Sequence, residues 1–132
     1  MKRVVIIDDD EIFQFLCSKA LENIGCTDEI KQFTNSQKGL DYLTKQLTGE
    51  SYPTMLMVDI NMPLLDGWEI IEGIEKAGSS FIKNCKVFIL SSSVDVKDKE
   101  KALSYKSVTG FIIKPLSESN LRTIAKEHFG LG

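Results

Sequence analysis

Met55-Leu56-Met57-Val58-Asp59 is the stretch of sequence that decides the fold of this chain. Four apolar residues run directly into a carboxylate, and Asn61-Met62-Pro63 follows at once. The apolar run is typical of a buried β-strand, and a carboxylate at the tip of such a strand is costly to desolvate unless something compensates its charge. We therefore expect Asp59 to lie in a site that supplies this compensation.

Three other short apolar runs also end in polar residues. These are Val4-Val5-Ile6-Ile7 before Asp8-Asp9-Asp10, Val87-Phe88-Ile89-Leu90 before Ser91-Ser92-Ser93, and Gly110-Phe111-Ile112-Ile113 before Lys114-Pro115. Acids, hydroxyl groups and a lysine at the ends of strands indicate a site for a phosphate and a metal ion. Asp59 is predicted to be the reactive centre of that site.

Helix-period segments separate the predicted strands. A weaker strand is predicted at Glu29–Phe33, and helices are predicted at Glu11–Ile24, at residues 36–47, around Trp68 to Ile74, at residues 96–105 and at residues 117–129. The expected buried positions are Ile12, Phe13, Leu16, Ala20, Leu21 and Ile24 in the first helix, and Leu40, Leu43 and Leu47 in the second. Five strands alternating with five helices predict an α/β fold, a doubly wound parallel sheet with helices on both faces. Ligands of such sheets bind outside the carboxyl ends of the strands, where the strand order reverses.

Composition narrows the class of protein. The chain has 132 residues, of which 42% are hydrophobic and 27% charged, as expected for one soluble globular domain. A net charge of −3 gives no broad attraction to nucleic acid or to anionic membranes. Apolar runs stay far below the roughly 20 residues of a membrane span, and the first residues do not resemble a signal peptide, which predicts a cytoplasmic protein without membrane insertion. Because nothing extends past the last predicted helix, we expect a stand-alone module without a DNA-binding domain.

The three cysteines and the single histidine give no sign of a metal site. Cys17, Cys26 and Cys85 are odd in number and widely spaced, which favours reduced thiols over a disulfide framework or a zinc site. His128 lies in the last predicted helical turn, where a cation interacts favourably with the helix dipole.

The acidic residues after the first strand admit two interpretations. Acids at the start of a helix can cap free N–H groups, and for Asp10 this remains the main expected role. If Asp8, Asp9 and Asp59 converge, however, each carboxylate pair about 4 Å apart repels by about 4 kcal/mol at an effective dielectric of about 20. A fold tolerates this repulsion when a cation occupies the site or when an acid stays protonated. Ligands that are all oxygen atoms favour Mg²⁺.

Four other residues near the predicted strand ends have an ordinary interpretation when each is considered alone. Lys114 is then a solvated lysine, Ser91 a turn or cap residue, Phe111 a core residue and Asn61 a turn residue. Beside a phosphate site, Lys114 would instead supply a point charge to a phosphoryl oxygen.

Five motifs, in this order and near this spacing, resemble the receiver domain of two-component response regulators. They are Ile-Ile-Asp-Asp-Asp at 6–10, Val-Asp-Ile-Asn-Met-Pro at 58–63, Asp-Gly at 66–67, Leu-Ser-Ser at 90–92 and Lys-Pro at 114–115. The resemblance runs from Lys2 to Phe129 and in extent is similar to the stand-alone chemotaxis-type regulators. It implies one receiver domain over residues 1–132 and a flavodoxin-like five-stranded sheet in the order 2-1-3-4-5.

The resemblance also implies a role for each site residue. Asp59 would accept a phosphoryl group from a histidine kinase or a histidine phosphotransfer protein. Asp9 and Asp59 would ligate Mg²⁺ directly, Asp8 mainly through water, and Asn61 through its backbone carbonyl. Lys114 would pair with the carboxylate and then with the phosphoryl group, and the Lys114-Pro115 bond is usually cis in the family.

The family's switch is implied to run through Ser91 and Phe111. Ser91 would bond to the phosphoryl group, Phe111 would turn inward, and the surface of the fourth helix, fifth strand and fifth helix would control a downstream signalling protein. This chain departs from the commoner family residues, with serine rather than threonine at 91, serine rather than alanine at 92 and phenylalanine rather than tyrosine at 111. The departures bear on the lifetime of the phosphoryl group and the strength of the switch.

Other functions are compatible with parts of the sequence. A haloacid-dehalogenase-type phosphatase also uses a strand-end aspartate, but it places a second aspartate where this chain has Asn61. A flavin carrier requires a phosphate loop after the first strand, where this chain has acids. A phosphorylation-independent adaptor is the remaining alternative.

We expect the protein to be a monomer or a phosphorylation-dependent dimer. It is not expected to be an enzyme beyond catalysing its own phosphorylation and dephosphorylation, and it is not expected to bind nucleic acid directly.

Overall fold

Strands and helices alternate along the whole described chain. The computed structural model describes residues 3–46, 55–77, 85–92 and 95–130. Its elements are β1 (Arg3–Ile7), α1 (Glu11–Ile24), β2 (Glu29–Phe33), α2 (Ser36–Asp41), β3 (Met55–Asp59), α3 (Gly67–Ala77), β4 (Lys86–Ser91), α4 (Val96–Ser104), β5 (Val108–Ile113) and α5 (Glu118–Phe129). A π-helical segment, Tyr42–Gln46, continues α2.

All five strands are parallel and lie in the order β2-β1-β3-β4-β5. The predicted fold class and strand order are therefore confirmed. The chain moves outward from β1 to β2 and then returns past β1 to β3, so the strand order reverses between β1 and β3. Ile7 pairs with Val58 across this boundary, which brings the next residue of each chain segment, Asp8 and Asp59, to the same edge of the sheet.

The central strands β1, β3 and β4 are buried on both faces, as expected for a parallel sheet covered by helices. Alternate residues of β1 and β3 point to opposite sides. On one side Val5, Ile7, Leu56 and Val58 join Ile70, Ile71 and Ile74 of α3 and Ala102 of α4 in one apolar cluster. On the other side Val4, Ile6, Met55 and Met57 join Phe13, Cys17 and Leu21 of α1 and Leu121 of α5 in a second.

The predicted buried stripe of α1 is wrong at two positions. Ile12 is 73% exposed and Leu16 is 60% exposed, and Phe15 between them also faces outward. The buried residues are instead Phe13, Gln14, Cys17 and Leu21. Apolar residues occupy two adjoining faces of this helix, so periodicity alone does not fix which face meets the sheet. Packing of Phe13, Cys17 and Leu21 in the second apolar cluster decides which face is buried.

The second helix and the last strand also differ from the prediction. The α-helix ends at Asp41 rather than continuing to 47, because the hydrogen bonding changes to the π pattern at Tyr42. Leu43 is buried and Leu40 packs against the same apolar cluster, as predicted, whereas Leu47 lies outside the described residues. Strand β5 begins two residues before the predicted start, at Val108.

Cys17 and Cys85 are buried thiols of the apolar clusters, and Cys26 is partly buried. His128 lies in the last turn of α5, where its ring meets Phe88 edge-on at a centroid distance of 5.2 Å. Among the helices of the described residues, none combines the length and apolar character that crossing a membrane requires.

Candidate functional site

Three carboxylates meet at the carboxyl edge of the sheet. Asp8 directly follows β1, Asp9 comes next, and Asp59 is the last residue of β3. One oxygen of each carboxylate lies within 4.8 Å of those of the other two. Asp8 is fully buried, Asp59 is 7% exposed and Asp9 faces solvent. Solvent therefore reaches the cluster mainly from the side of Asp9, whereas the protein covers Asp8 and Asp59.

Lys114 brings a positive charge to these acids from the end of β5. Its Nζ atom donates to Asp8 Oδ2 at 2.8 Å and lies 4.0 Å from Asp59 Oδ2. The same ammonium group stands 4.5 Å from the centre of the Phe13 ring. Its backbone N–H donates to the carbonyl of Ser91 at 2.8 Å, which joins the ends of β4 and β5. The peptide bond between Lys114 and Pro115 is cis.

Burial and mutual repulsion change the acidity of the site. Burial, together with the negative charge of Asp8, raises the pKa of Asp59 to about 6 against the opposing effect of Lys114. Burial also raises the pKa of Asp8, although Lys114 and the N–H of Asp10 favour its ionised form. Burial lowers the pKa of Lys114, but the hydrogen bond and charge of Asp8 outweigh this and leave it above its usual value. One lysine therefore does not neutralise the cluster.

Asp10 caps α1 and does not take part in the acid cluster. Its carboxylate accepts hydrogen bonds from the N–H groups of Ile12 and Phe13 at 3.0 and 3.1 Å. Its own N–H donates to Asp8 Oδ1 at 2.9 Å. The capping interpretation of Asp10 is confirmed. The backbone N–H of the same residue also holds the carboxylate of Asp8.

The loop after β3 approaches the main chain of Asp59 closely at Gly67. The N–H of Gly67 donates to the carbonyl of Ile60 at 2.9 Å. A Cβ atom at position 67 would lie 2.7 Å from the carbonyl oxygen of Asp59, so only glycine fits without a shift of the backbone. The side chain of Asn61 is exposed in the same loop.

A buried serine of α2 braces this loop. The hydroxyl of Ser36 donates to the carbonyl of Pro63 at 2.7 Å and accepts from the N–H of Leu65 at 3.0 Å. Sequence reasoning missed this contact, because nothing in the local pattern of Ser36 indicates a partner 27 residues away.

Ser91 and Phe111 occupy different surroundings. Ser91 is fully buried at the end of β4, one residue beyond Leu90, which pairs with Asp59. Phe111 pairs with Ile89 and packs, half-buried, against the apolar cluster of α3 and α4. In this conformation Phe111 has the contacts of a core residue, while Ser92 is exposed.

The three carboxylates are a suitable donor set for Mg²⁺. Their donor atoms are all oxygen, and Mg²⁺ typically takes one or two carboxylates while keeping several waters. The uncompensated negative charge around Asp59 is a second reason to expect a cation here, since a divalent cation would reduce the repulsion between the carboxylates.

Comparison with known proteins identifies the family. The sequence profile of the response regulator receiver domain matches residues 4–126, and the chain therefore belongs to this family of two-component signalling domains. Receiver domains bind Mg²⁺ at an acidic site and interact with histidine kinases and downstream targets. They are signalling domains rather than metabolic enzymes, which argues against the phosphatase and flavin-carrier alternatives.

Several individual proteins are similar over almost the whole chain. The probable methanogenesis regulatory protein FilR2 of Methanothrix harundinacea is 29% identical, covering 94% of this chain and 79% of that protein. Protein PilG of Pseudomonas aeruginosa is also 29% identical, covering 96% and 86%. The crystal structure of a two-component response regulator from Cytophaga hutchinsonii superposes with a TM-score of 0.88 at 28% identity, covering 98% of both chains. Two longer relatives match over only 15% and 7% of their length, so the domain also occurs as one part of larger proteins.

Proposed function

We propose that Asp59 accepts a phosphoryl group from the phosphohistidine of a histidine kinase or a histidine phosphotransfer protein. The observation that carries this proposal is the setting of Asp59. It ends a buried strand, lies within 4.8 Å of two further acids and has Lys114 Nζ at 4.0 Å. This arrangement suits an ionised nucleophile whose product needs several positive partners.

The transfer needs little covalent help from the protein. A carboxylate oxygen of Asp59 forms the new bond to phosphorus as the P–N bond of the phosphohistidine breaks, and the imidazole leaves with the electron pair of that bond and takes up a proton. At a pH above its pKa of about 6, Asp59 is already ionised, so no separate general base is required. Catalysis then consists of positioning and charge neutralisation.

The surrounding residues would supply positive charge to the phosphoryl group in two ways, through a bound cation and through Lys114. Asp8, Asp9, Asp59 and the backbone carbonyl of Asn61 would hold Mg²⁺, which when bound supplies positive charge to the phosphoryl oxygens. Lys114 lies between Asp8 and Asp59, so its ammonium group would contact a phosphoryl oxygen on Asp59 after a small movement.

The signal would pass from the site to the surface formed by α4, β5 and α5. Ser91 would donate its hydroxyl to the phosphoryl group, and its carbonyl already accepts the N–H of Lys114 at the end of β5. Phe111, in the middle of β5, would change its packing as this end moves, and the altered surface would control a downstream signalling protein. Two-state elements of this kind respond to a new local charge.

Phosphotransfer profiling tests the proposal. Radiolabelled histidine kinases and histidine phosphotransfer proteins of the source organism are mixed with the wild-type chain and with Asp59→Asn, each with Mg²⁺ or with EDTA. We expect rapid transfer only to the wild type and only with Mg²⁺. A partner that binds equally well to both chains, with no transfer from any donor, would instead establish a phosphorylation-independent adaptor.

A further inference from the structure

Gln14 is a polar residue on the buried face of α1. It is 5% exposed, and its side-chain Nε2 atom lies 3.1 Å from each of three backbone carbonyl oxygens, those of Ile6, Asp8 and Phe33. A primary amide has two hydrogens, so the three acceptors share them. One side chain therefore provides hydrogen bonds to the ends of both β1 and β2.

The three carbonyls fix which way the amide of Gln14 points, and Gln32 faces the amide oxygen. The Nε2 atom of Gln32 donates to Gln14 Oε1 at 2.9 Å and to the backbone carbonyl of Gln14 at 2.6 Å. If the amide of Gln14 were flipped, two donors would face each other at Gln32 and the amide oxygen would face three carbonyls. This orientation directs the amide hydrogens toward the carbonyl oxygens and the amide oxygen toward a donor.

Asp8 is consequently held on every side. Its N–H donates to the carbonyl of Phe33 at 3.0 Å, its carbonyl accepts from Gln14, and its carboxylate accepts from Asp10 N–H and from Lys114. The carbonyl of Asp8 belongs to the same planar peptide unit as the nitrogen of Asp9. Whatever fixes this carbonyl therefore fixes the direction in which the exposed Asp9 leaves the strand.

We infer that Gln14 is a positioning residue for the acid cluster, orienting the peptide between Asp8 and Asp9 so that both carboxylates converge on the cation. The inference rests on the proposed function for the identity of the cation, Mg²⁺. Gln14 does not touch the cation or the phosphoryl group. Its effect passes through the backbone, and groups that orient metal ligands without touching the metal contribute to its affinity.

Two substitutions of Gln14 remove its hydrogen bond to the carbonyl of Asp8, and two control substitutions leave that hydrogen bond in place. Gln14→Met keeps the length of the side chain without a donor, and Gln14→Asn keeps an amide that is too short to reach the three carbonyls. Leu21→Val perturbs the buried face of α1 two turns further along, where Leu21 packs in the apolar cluster. Gln32→Met leaves the hydrogen bond from Gln14 to Asp8 in place.

Two readouts are needed. The first is the dissociation constant for MgCl₂, measured calorimetrically. The second is the exchange rate of the Asp8 and Asp10 amide hydrogens in the metal-free protein, at matched global stability. We expect roughly tenfold weaker Mg²⁺ binding and faster exchange in both Gln14 variants, with changes below about twofold in both controls.

The inference is overturned if the Gln14 variants bind Mg²⁺ within about twofold of the wild type, or if Leu21→Val weakens binding equally. Unchanged exchange at Asp8 and Asp10 would also overturn it. If the wild type itself binds no Mg²⁺, the proposed function fails, whereas the exchange data still decide whether Gln14 holds the turn.

Discussion

The ammonium group of Lys114 lies closer to Asp8 than to Asp59, at 2.8 Å and 4.0 Å respectively. The lysine thus forms its ion pair with the acid that is fully buried. Asp59 lies at the edge of that ion pair with a pKa raised to about 6. A carboxylate in this position is incompletely compensated.

Replacing Lys114 should reduce phosphorylation of Asp59. In Lys114→Met the phosphoryl group loses its positive side-chain partner, and losing one such electrostatic partner costs roughly a hundredfold in rate. The measurement is the rate of phosphorylation by acetyl phosphate at saturating Mg²⁺, followed by intact mass. Lys126→Met, which removes an exposed lysine of α5, serves as the control and should react at the wild-type rate. A Lys114→Met rate within about threefold of the wild type would contradict the assigned role.

Removing the charge of Asp59 should stabilise the metal-free protein. The pKa of Asp59 is raised in the fold from 3.8 to about 6, so its favourable contribution is complete below pH 3.8 and is lost as the pH rises through about 6. Near neutral pH, Asp59→Asn should raise the free energy of unfolding by about 1–2 kcal/mol after allowance for solvent screening. The pKa of Asp8 is also raised in the fold, so ionisation of Asp8 likewise lowers the free energy of unfolding as the pH rises.

Urea denaturation without divalent cations, at several pH values, measures this gain. The advantage of Asp59→Asn should shrink as the pH falls toward 3.8, the ordinary pKa of the carboxyl. Asp28→Asn changes an exposed acid just before β2, at the opposite edge of the sheet, and should show no such pattern. An Asp59→Asn protein less stable than the wild type near neutral pH would show that the acids do not repel.

Gly67 and Gly73 make a matched pair of substitutions in α3. A Cβ atom at 67 would meet the backbone of Asp59 at 2.7 Å, whereas one at 73 would meet the Cδ1 atom of Leu40 at 2.9 Å. A side-chain tip can rotate away and a strand backbone cannot. Gly67→Ala should therefore cost about 1–3 kcal/mol and also slow phosphorylation. Gly73→Ala should leave the phosphorylation rate unchanged, and equal rates in the two variants would refute the argument.

Trp68 should report the switch by fluorescence. It is the only tryptophan of the chain, it follows Gly67 directly, and its ring stacks on Tyr105 at 6.0 Å with Lys101 Nζ of α4 at 4.7 Å. Tyr105 directly follows α4, so a movement of this helix would change both contacts. Mg²⁺ with the phosphoryl mimic beryllofluoride should therefore alter the emission, and Ser91→Ala should lose most of that response while still binding the mimic. An undiminished response in Ser91→Ala would remove Ser91 from the switch.

The architecture is predictable from the sequence because its signals are strong and local. Runs such as Met55–Val58 are short and apolar on both faces, as expected for a buried parallel strand. The phase of α1 is not predictable in this way, since Ile12 and Leu16 are apolar yet exposed, while the polar Gln14 is buried. Tertiary contacts decide between two faces of similar hydrophobicity.

The acid cluster was predictable because the carboxyl ends of adjacent strands meet at one edge. Asp8, Asp9, Asp59 and Lys114 all come directly from strand ends and are found together. The supporting residues Gln14 and Ser36 were not predictable, because their side chains bond to backbone groups distant in sequence. Gln14 is recognisable only when the buried face of α1 is known.

Intact-mass analysis with acetyl phosphate and Mg²⁺ tests the central claim most directly. The wild-type chain should gain the mass of one phosphoryl group, the gain should disappear with EDTA, and it should be absent in Asp59→Asn. Fragmentation should place the group on Asp59. No gain under these conditions, or an equal gain in Asp59→Asn, would contradict the assignment of Asp59 as the phosphoacceptor.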